Sequence, residues 1–451
     1  MTPPPSPRPR LATRLATRFA MVLTQAAPFL KLGAATGGAA LLAFVTQTVL
    51  ARQLGPDDYG RFSAGLSLVT IMAPLACFGI GSFWLSVFGK EGWQAERWLG
   101  ASLRYVRASA LAVLALLAAW ALAGPHDQAT TVVILALMVF VLAQILMELV
   151  GVLYQLEEDY TAFALWQVLP HVLRLGLLGG LLALLPATAG LAAALLAFGL
   201  GSLAIVLLGA LRLRARLGGR LALKGHGPRP SASSASGMAP ASLGDVLGAS
   251  LPFGLVGFAY LLYTQLNVVL VKYLGSDAGA AYYNIAFMVM NAFLLVPNMA
   301  FEKVLVPRIH RWYHQDRAQL VTVLKGATLL VLILSAAGVV LLTLAGDLVG
   351  RFFFGAEGQP LAAALMILMW SLPLRSLSLC FGSVLFVGAF IRLRLWFVLA
   401  AIAVDVALAV ALIPGQGAVG AAIAMVAAES VMCILFFLGM LRALRHGERA
   451  T

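Results

Sequence analysis

The chain has 451 residues, of which 61% are hydrophobic and only 11% charged. Soluble domains carry roughly 25% charged residues, so this chain has too few polar side chains to cover a water-facing surface, and a soluble globular fold is excluded. Its net charge of +13 would suggest nucleic acid in a soluble protein; here Lys and Arg gathered in cytoplasmic loops explain it, and nucleic acid is not an expected partner.

The first segment, residues 1–31, is rich in Pro and Arg. It reads as a basic cytoplasmic tail, with Leu11 to Phe19 suited to an anionic leaflet. Lys31 interrupts any apolar core that a cleavable signal would need. Apolar runs then predict twelve spans near 32–50, 62–88, 105–123, 130–152, 161–185, 188–211, 246–271, 281–301, 324–345, 360–387, 395–413 and 417–441, each long enough for a bilayer core of roughly 30 Å. With the N-terminus inside, the inner segments hold 25 of the 31 Lys and Arg and the outer loops only Arg52, Arg61, Lys272 and Arg351. That asymmetry supports an even span number with both termini cytoplasmic. Cys77, Cys380 and Cys433 all lie in apolar runs, which argues against a disulfide framework.

A long polar connection, 213–244, is Arg-rich and then contains SASSASGMAPAS, the composition of a flexible linker. It divides the chain into 32–212 and 245–441, two sets of six helices, followed by a tail at 442–451. The longest outer loop, near 346–359, leaves no room for an extracytoplasmic domain. The expected fold is an all-α polytopic membrane protein with about twelve transmembrane helices in two six-helix lobes.

The stretch LARQLGPDDYGRF (50–62) recurs 220 residues later as LVKYLGSDAGAAY (270–282). Leu50, Arg52, Gly55, Asp57 and Phe62 fall on Leu270, Lys272, Gly275, Asp277 and Tyr282. Each copy follows the first helix of a set, so the repeat is parallel, and repeat interfaces house transporter substrate sites. The spacing Gly55–Gly60 is not a phosphate loop. Arg61 is followed by Phe62 rather than Ser or Thr, and Asp57 and Asp58 would repel phosphate.

LARQLGPDDYGRFSAGLSL, leading into LACFGIGSFWLSVFGKEG, resembles the bacterial polysaccharide and oligosaccharide flippases. That family belongs to the superfamily that also holds multidrug extruders and the lipid II flippase. The resemblance implies a two-lobed, alternating-access transporter of the bacterial inner membrane, not an enzyme. Its expected cargo is undecaprenyl-diphosphate-linked oligosaccharide for surface polysaccharide. Membrane lipids and a polymerase or export machinery are its expected partners.

Polar residues inside spans are costly and usually face a cavity or a partner. Gln167, His171 and Arg174 share one face of the fifth helix, and Gln144 and Glu148 one face of the fourth. Asn284, Asn291 and Asn298 form a stripe about 21 Å long on the eighth. Arg375 sits in the tenth with Ser371 and Ser378. These are candidate substrate-binding residues, because Arg forks suit phosphate and amides suit sugar hydroxyls. Trp166, Tyr260 and Tyr263 are candidate sugar-stacking rings. The structural alternative is that Arg375 pairs with Asp405 or Glu429 and that the Asn residues join helices. No cofactor or ATP motif is expected, so Asp405, Glu429 and Glu148 are candidate H⁺ or Na⁺ coupling sites. His310 and His314, at i and i+4, have the spacing of a metal pair but lie beside Trp312 and Tyr313, which suits an interfacial anchor. The competing functions are an ion-coupled drug or cation antiporter of the same superfamily and a membrane saccharide polymerase or ligase. The first calls for a clear acid in the first lobe, the second for an outer catalytic loop.

Overall fold

The structure is a computed structural model describing residues 11–229, 240–300, 317–385 and 391–448. Among these residues the regular structure is helical, with no strand. The helices are α1 (Leu11–Cys77), α2 (Ile80–Glu91), α3 (Leu99–Ala123), α4 (Gln128–Leu156), α5 (Tyr160–Leu184) and α6 (Gly190–Ala215), then α7 (Leu243–Leu274), α8 (Asp277–Ala300), α9 (Arg317–Phe354), α10 (Gln359–Leu368), α11 (Ser371–Val384) and α12 (Ile391–Glu448). His310 and His314 lie outside the described residues.

Among the described residues seven stretches are long and apolar enough to cross a membrane, or eight with the bent α7. The first, Lys31–Ala123, has 93 residues, which would extend about 140 Å as one straight helix, several times a bilayer core. It is therefore folded back on itself, and the folds are visible. In α1 only Gly55 leaves helical geometry, at φ 71° and ψ 177°, a conformation open to glycine. Pro56 then opens the second arm, as proline favours a first helical position. The predicted loop at 50–63 is thus a one-residue hinge between two helical arms. Gly417, at φ 55°, divides α12 in the same way. The predicted outer loop at 346–359 shrinks to the turn Gly355–Gly358, because α9 runs on to Phe354. In α7 the axis bends by 46° between Leu255 and Gly257, just past Pro252, whose ring cannot continue the hydrogen-bond ladder.

Helix starts are set by short polar side chains. Asp127 caps α4 through the Thr130 amide, Asp159 caps α5 through that of Ala162, and Ser242 and Asp245 form a reciprocal box at α7. Each such cap contributes about 1 kcal/mol. The buried core runs through both halves of the chain, including Tyr59, Phe62 and Trp84 with Tyr283, Leu365 and Met425. Outward faces carry exposed Leu111, Leu184 and Leu344, a surface that suits lipid.

Helix α1 packs against both α7 and α8, and α2 and α3 also meet α7. Near the start of α2, Phe78 presses on Gly254 so closely that an added Cβ there would lie 2.4 Å from the ring. The central connection docks on the first half of the chain. The Lys224 amide donates to the Leu156 carbonyl at 3.2 Å and the Trp93 indole to that of Gly227 at 3.1 Å. Arg229 pairs with Glu96 at 3.0 Å, and the Ala241 amide donates to the Arg97 carbonyl at 3.3 Å.

Candidate functional site

Between α1 and the α7–α8 pair lies a cavity of about 630 Å³. Its polar wall is Gln47, Ser67, Gln265, Asn284 and Asn291; Phe44, Phe287 and Leu295 are among its apolar residues. Gln265 accepts a hydrogen bond from Ser67 at 3.0 Å, which joins α1 to α7 across the cavity.

The two copies of the repeated stretch form the roof. Tyr59 is buried; it donates to Gln47 Oε1 at 3.0 Å and accepts from Asn284 Nδ2 at 2.9 Å. Gly60 lies flat on the second copy, where an added Cβ would stand 1.7 Å from the Asp277 carbonyl oxygen. Arg61 gathers three carboxylates: Asp58 at 2.9 Å, Asp127 at 3.1 Å and Asp277 at 2.9 Å. Lys272 also pairs with Asp277. The Thr130 side chain, with its amide, holds the Asp127 carboxyl below the usual carboxylate range, and Arg61 and Lys272 add to this. Beside this latch the Trp120 indole donates to the Tyr273 hydroxyl at 3.0 Å, with His126 against the same tyrosine. The arginine-poor ends of the two halves are thereby joined.

Behind the cavity wall sits a buried polar cluster. Asn291 donates to the Phe287 carbonyl at 2.9 Å and accepts from Arg375 Nη1 at 3.1 Å. Arg375 Nε stands 3.1 Å from Glu429, which is fully buried. Neither Glu429 oxygen, nor the Tyr263 hydroxyl, has a well-formed hydrogen bond among the described residues. One layer away, Asn267 Nδ2 reaches both Asp405 oxygens at 3.0 Å and the Tyr283 hydroxyl at 3.2 Å. The ion pair with Glu429 is thus present, while Asp405 is held by Asn267 instead of an arginine.

A second cavity, of about 550 Å³, lies mostly within the first half of the chain, with Leu261 of α7 on its wall. It brings together Gln144, Glu148, Gln167 and Trp166. Glu148 accepts the Gly81 amide at 3.2 Å, and Gln167 Oε1 is buried without a hydrogen-bond partner among the described residues. Thr70 lines both cavities.

Arg174 is placed differently. Its guanidinium is stacked between Phe140 at 4.7 Å and Phe198 at 5.0 Å, and neither it nor His171 is among the residues lining either cavity. Tyr260 is exposed, whereas Tyr263 and Trp166 are buried, the latter donating to the Met147 carbonyl. The side chain of Asn298 lies outside the described residues. Sequence reasoning missed Gln47, Tyr59, Gln265 and Asn267. Asn267 carried a usable signal, an amide in the middle of a long apolar run, where an unpaired polar group is costly.

Long broken helices around a cavity, roofed by a repeated pair of hinges, define a membrane protein built like the transporters of the MOP superfamily. A multidrug resistance MATE family transporter of that superfamily, in an inward-facing conformation, superposes with a TM-score of 0.71 at 16% identity over 92% of this chain and 96% of that one. The lipid II flippase MurJ, inward closed, gives 0.64 at 14% identity over 91% and 89%. A MOP superfamily transporter from Pyrococcus furiosus, described as having a binding pocket of reverse polarity, gives 0.55 at 16% over 92% and 95%. No curated protein matches the sequence. The family model for polysaccharide biosynthesis proteins matches residues 29–313, more than half of the chain, and the protein belongs to that family.

Proposed function

We propose that this protein moves a lipid-diphosphate-linked oligosaccharide from the inner to the outer leaflet of a bacterial cytoplasmic membrane by alternating access. In this reading residues 32–212 and 245–441 are two six-helix lobes with both termini inside, and a polymerase or export machinery receives the product. The observation that carries it is the cavity between α1 and α8, where Gln47, Gln265, Asn284 and Asn291 offer amides to sugar hydroxyls beside an apolar wall for a prenyl chain. Arg375, one contact behind Asn291, supplies positive charge near the diphosphate. The roof closed by Arg61 corresponds to the inward-facing half of the cycle.

Energy comes from an ion gradient in this proposal. Asp405 and Glu429 are the sites for H⁺ or Na⁺: Glu429 reaches the cavity wall through Arg375 and Asn291, and Asp405 lies further behind it on Asn267 and Tyr283, each able to exchange its present partner for a cation. A second reading, cation antiport, is favoured by Glu148, the acid that lines the smaller cavity.

Flipping of a fluorescent lipid-linked saccharide in proteoliposomes tests the assignment. The double change Asn284→Ala and Asn291→Ala should slow it by at least about tenfold, the loss of one or two hydrogen bonds, with the protein still monodisperse. Unchanged flipping, or a gradient-driven flux of a drug cation that requires Glu148, would reject it.

A further inference from the structure

An apolar groove with a basic end lies on the lipid-facing side of the first half, away from the cavity. Helix α4 packs against both α3 and α6, leaving a groove of about 670 Å³ over α4. Its floor is the α4 stripe Leu142, Ile145, Leu146 and Leu149, spaced as one helix face. Gly209 lets α6 seat tightly on that floor, since an added Cβ would lie 2.8 Å from the Leu146 side chain. The α6 wall runs from Val206 to Arg214, about 12 Å of helix rise, and Leu217 and Gly218 of the following turn extend it, so that it covers most of one leaflet of a core roughly 30 Å thick.

The groove is apolar except at its arginine-rich end, where Arg107 of α3 and Arg214 of α6 line it. Both are exposed, and among the described residues neither has a salt bridge. Their neighbours behave otherwise. Arg212 bonds the Tyr154 hydroxyl and lies over Trp166, while Arg216 pairs with Glu157 at 2.9 Å and stacks on Tyr154. At the end of α6, therefore, Arg212 is engaged by a hydroxyl and an aromatic face and Arg216 by a carboxylate, whereas Arg214 lines the groove. Arg107 sits two residues inside its apolar run. A cation at the edge of the hydrocarbon layer is unfavourable without a counter-charge, and basic pockets between membrane helices on the cytoplasmic side bind anionic lipid headgroups.

We infer that the α3–α4–α6 groove holds one anionic glycerophospholipid of the inner leaflet, with an acyl chain along α4 and its phosphodiester between Arg107 and Arg214. The two arginine forks match phosphate oxygens, and the groove length matches a single acyl chain.

The test is native mass spectrometry of the full-length protein, delipidated in detergent and offered phosphatidylglycerol against phosphatidylethanolamine of identical chains. The native protein should retain one phosphatidylglycerol with a preference of about thirtyfold, the attraction expected of two arginines for an anionic headgroup. Arg107→Ala with Arg214→Ala should bring the two lipids to parity. Arg104→Ala with Arg220→Ala, which removes the same charge on the same side, should not. Ala210→Trp, at an exposed groove position, should exclude the lipid with both arginines intact, so the site can be judged even if the double variant fails to fold. The inference fails if the preference survives Ala210→Trp or the Arg107/Arg214 change, or if it is lost equally with Arg104 and Arg220. It fails too if undecaprenyl phosphate displaces phosphatidylglycerol from the native groove.

Discussion

With the termini inside as proposed, replacing Arg61 by Ala should open the outer face of the cavity. Its guanidinium holds carboxylates from three separate parts of the chain: Asp58 on its own helix, Asp127 at the start of α4 and Asp277 at the start of α8. The Arg61 side chain is 27% exposed and the carboxylates between 19% and 47%. Partly exposed pairs contribute about 0.2–1 kcal/mol each, so three give about 1–2 kcal/mol after screening by solvent. Removing the cation also leaves three like charges facing one another, an effect of the same sign. The ratio of outer-closed to outer-open molecules should then fall about 5- to 30-fold. A Ser67→Cys reporter reads this directly, because Ser67 lines the cavity below the roof and the native cysteines are buried. A membrane-impermeant maleimide applied outside should label Ser67→Cys slowly in the parent and several-fold faster with Arg61→Ala. Arg52→Ala, whose guanidinium stacks on Phe352, should leave the rate unchanged. Equal rates for Arg61→Ala and the parent would refute the latch.

Gly60→Ala should open the same face by a different route, since its methyl group would collide with backbone at Asp277; labelling as slow as the parent's would mean that the hinges do not touch in the membrane. Acidification should leave the roof shut between about pH 7 and pH 5. Asp127 has a lowered pKa, so its contribution is complete above the ordinary carboxylate value and disappears only as pH falls through the lower folded one; faster labelling at pH 5 would contradict this. Arg375→Ala should destabilise by about 3–5 kcal/mol, because it strands the buried Glu429. Arg375→Met with Glu429→Met should restore the melting temperature without restoring flipping. Recovery of both would reduce the pair to a packing element.

The all-helical membrane architecture is legible from hydropathy, because a lipid-facing helix must be apolar along its length. The hinge at Gly55 and its echo at Gly275 are equally legible, as each interrupts an apolar run with turn-forming residues. Their contact is not. Whether two hinges 220 residues apart lie side by side depends on how the two halves dock, and Arg61 announces only a charge. The same holds for the interior. That Arg375 needs an acid follows from the cost of burying it, but the choice of Glu429 over Asp405 depends on Asn267, which occupies Asp405 from another helix. Arg174 lies on a polar helix face, which by itself suits a cavity charge. Phe140 and Phe198 on adjacent helices give it a partner that no single-helix pattern can reveal.

The central connection has its two shoulders, Arg229 and Ala241, bound to adjacent residues, Glu96 and Arg97. The two shoulders therefore meet one place on the first half, and any relative movement of the halves is taken up in the short step from Ala241 into α7. Closing a longer connection between two fixed shoulders costs only about 0.6 kcal/mol for each doubling of length. A fluorescent reporter spliced between Arg229 and Ala241, or a break that divides the gene there into two co-expressed pieces, should leave the two halves assembled.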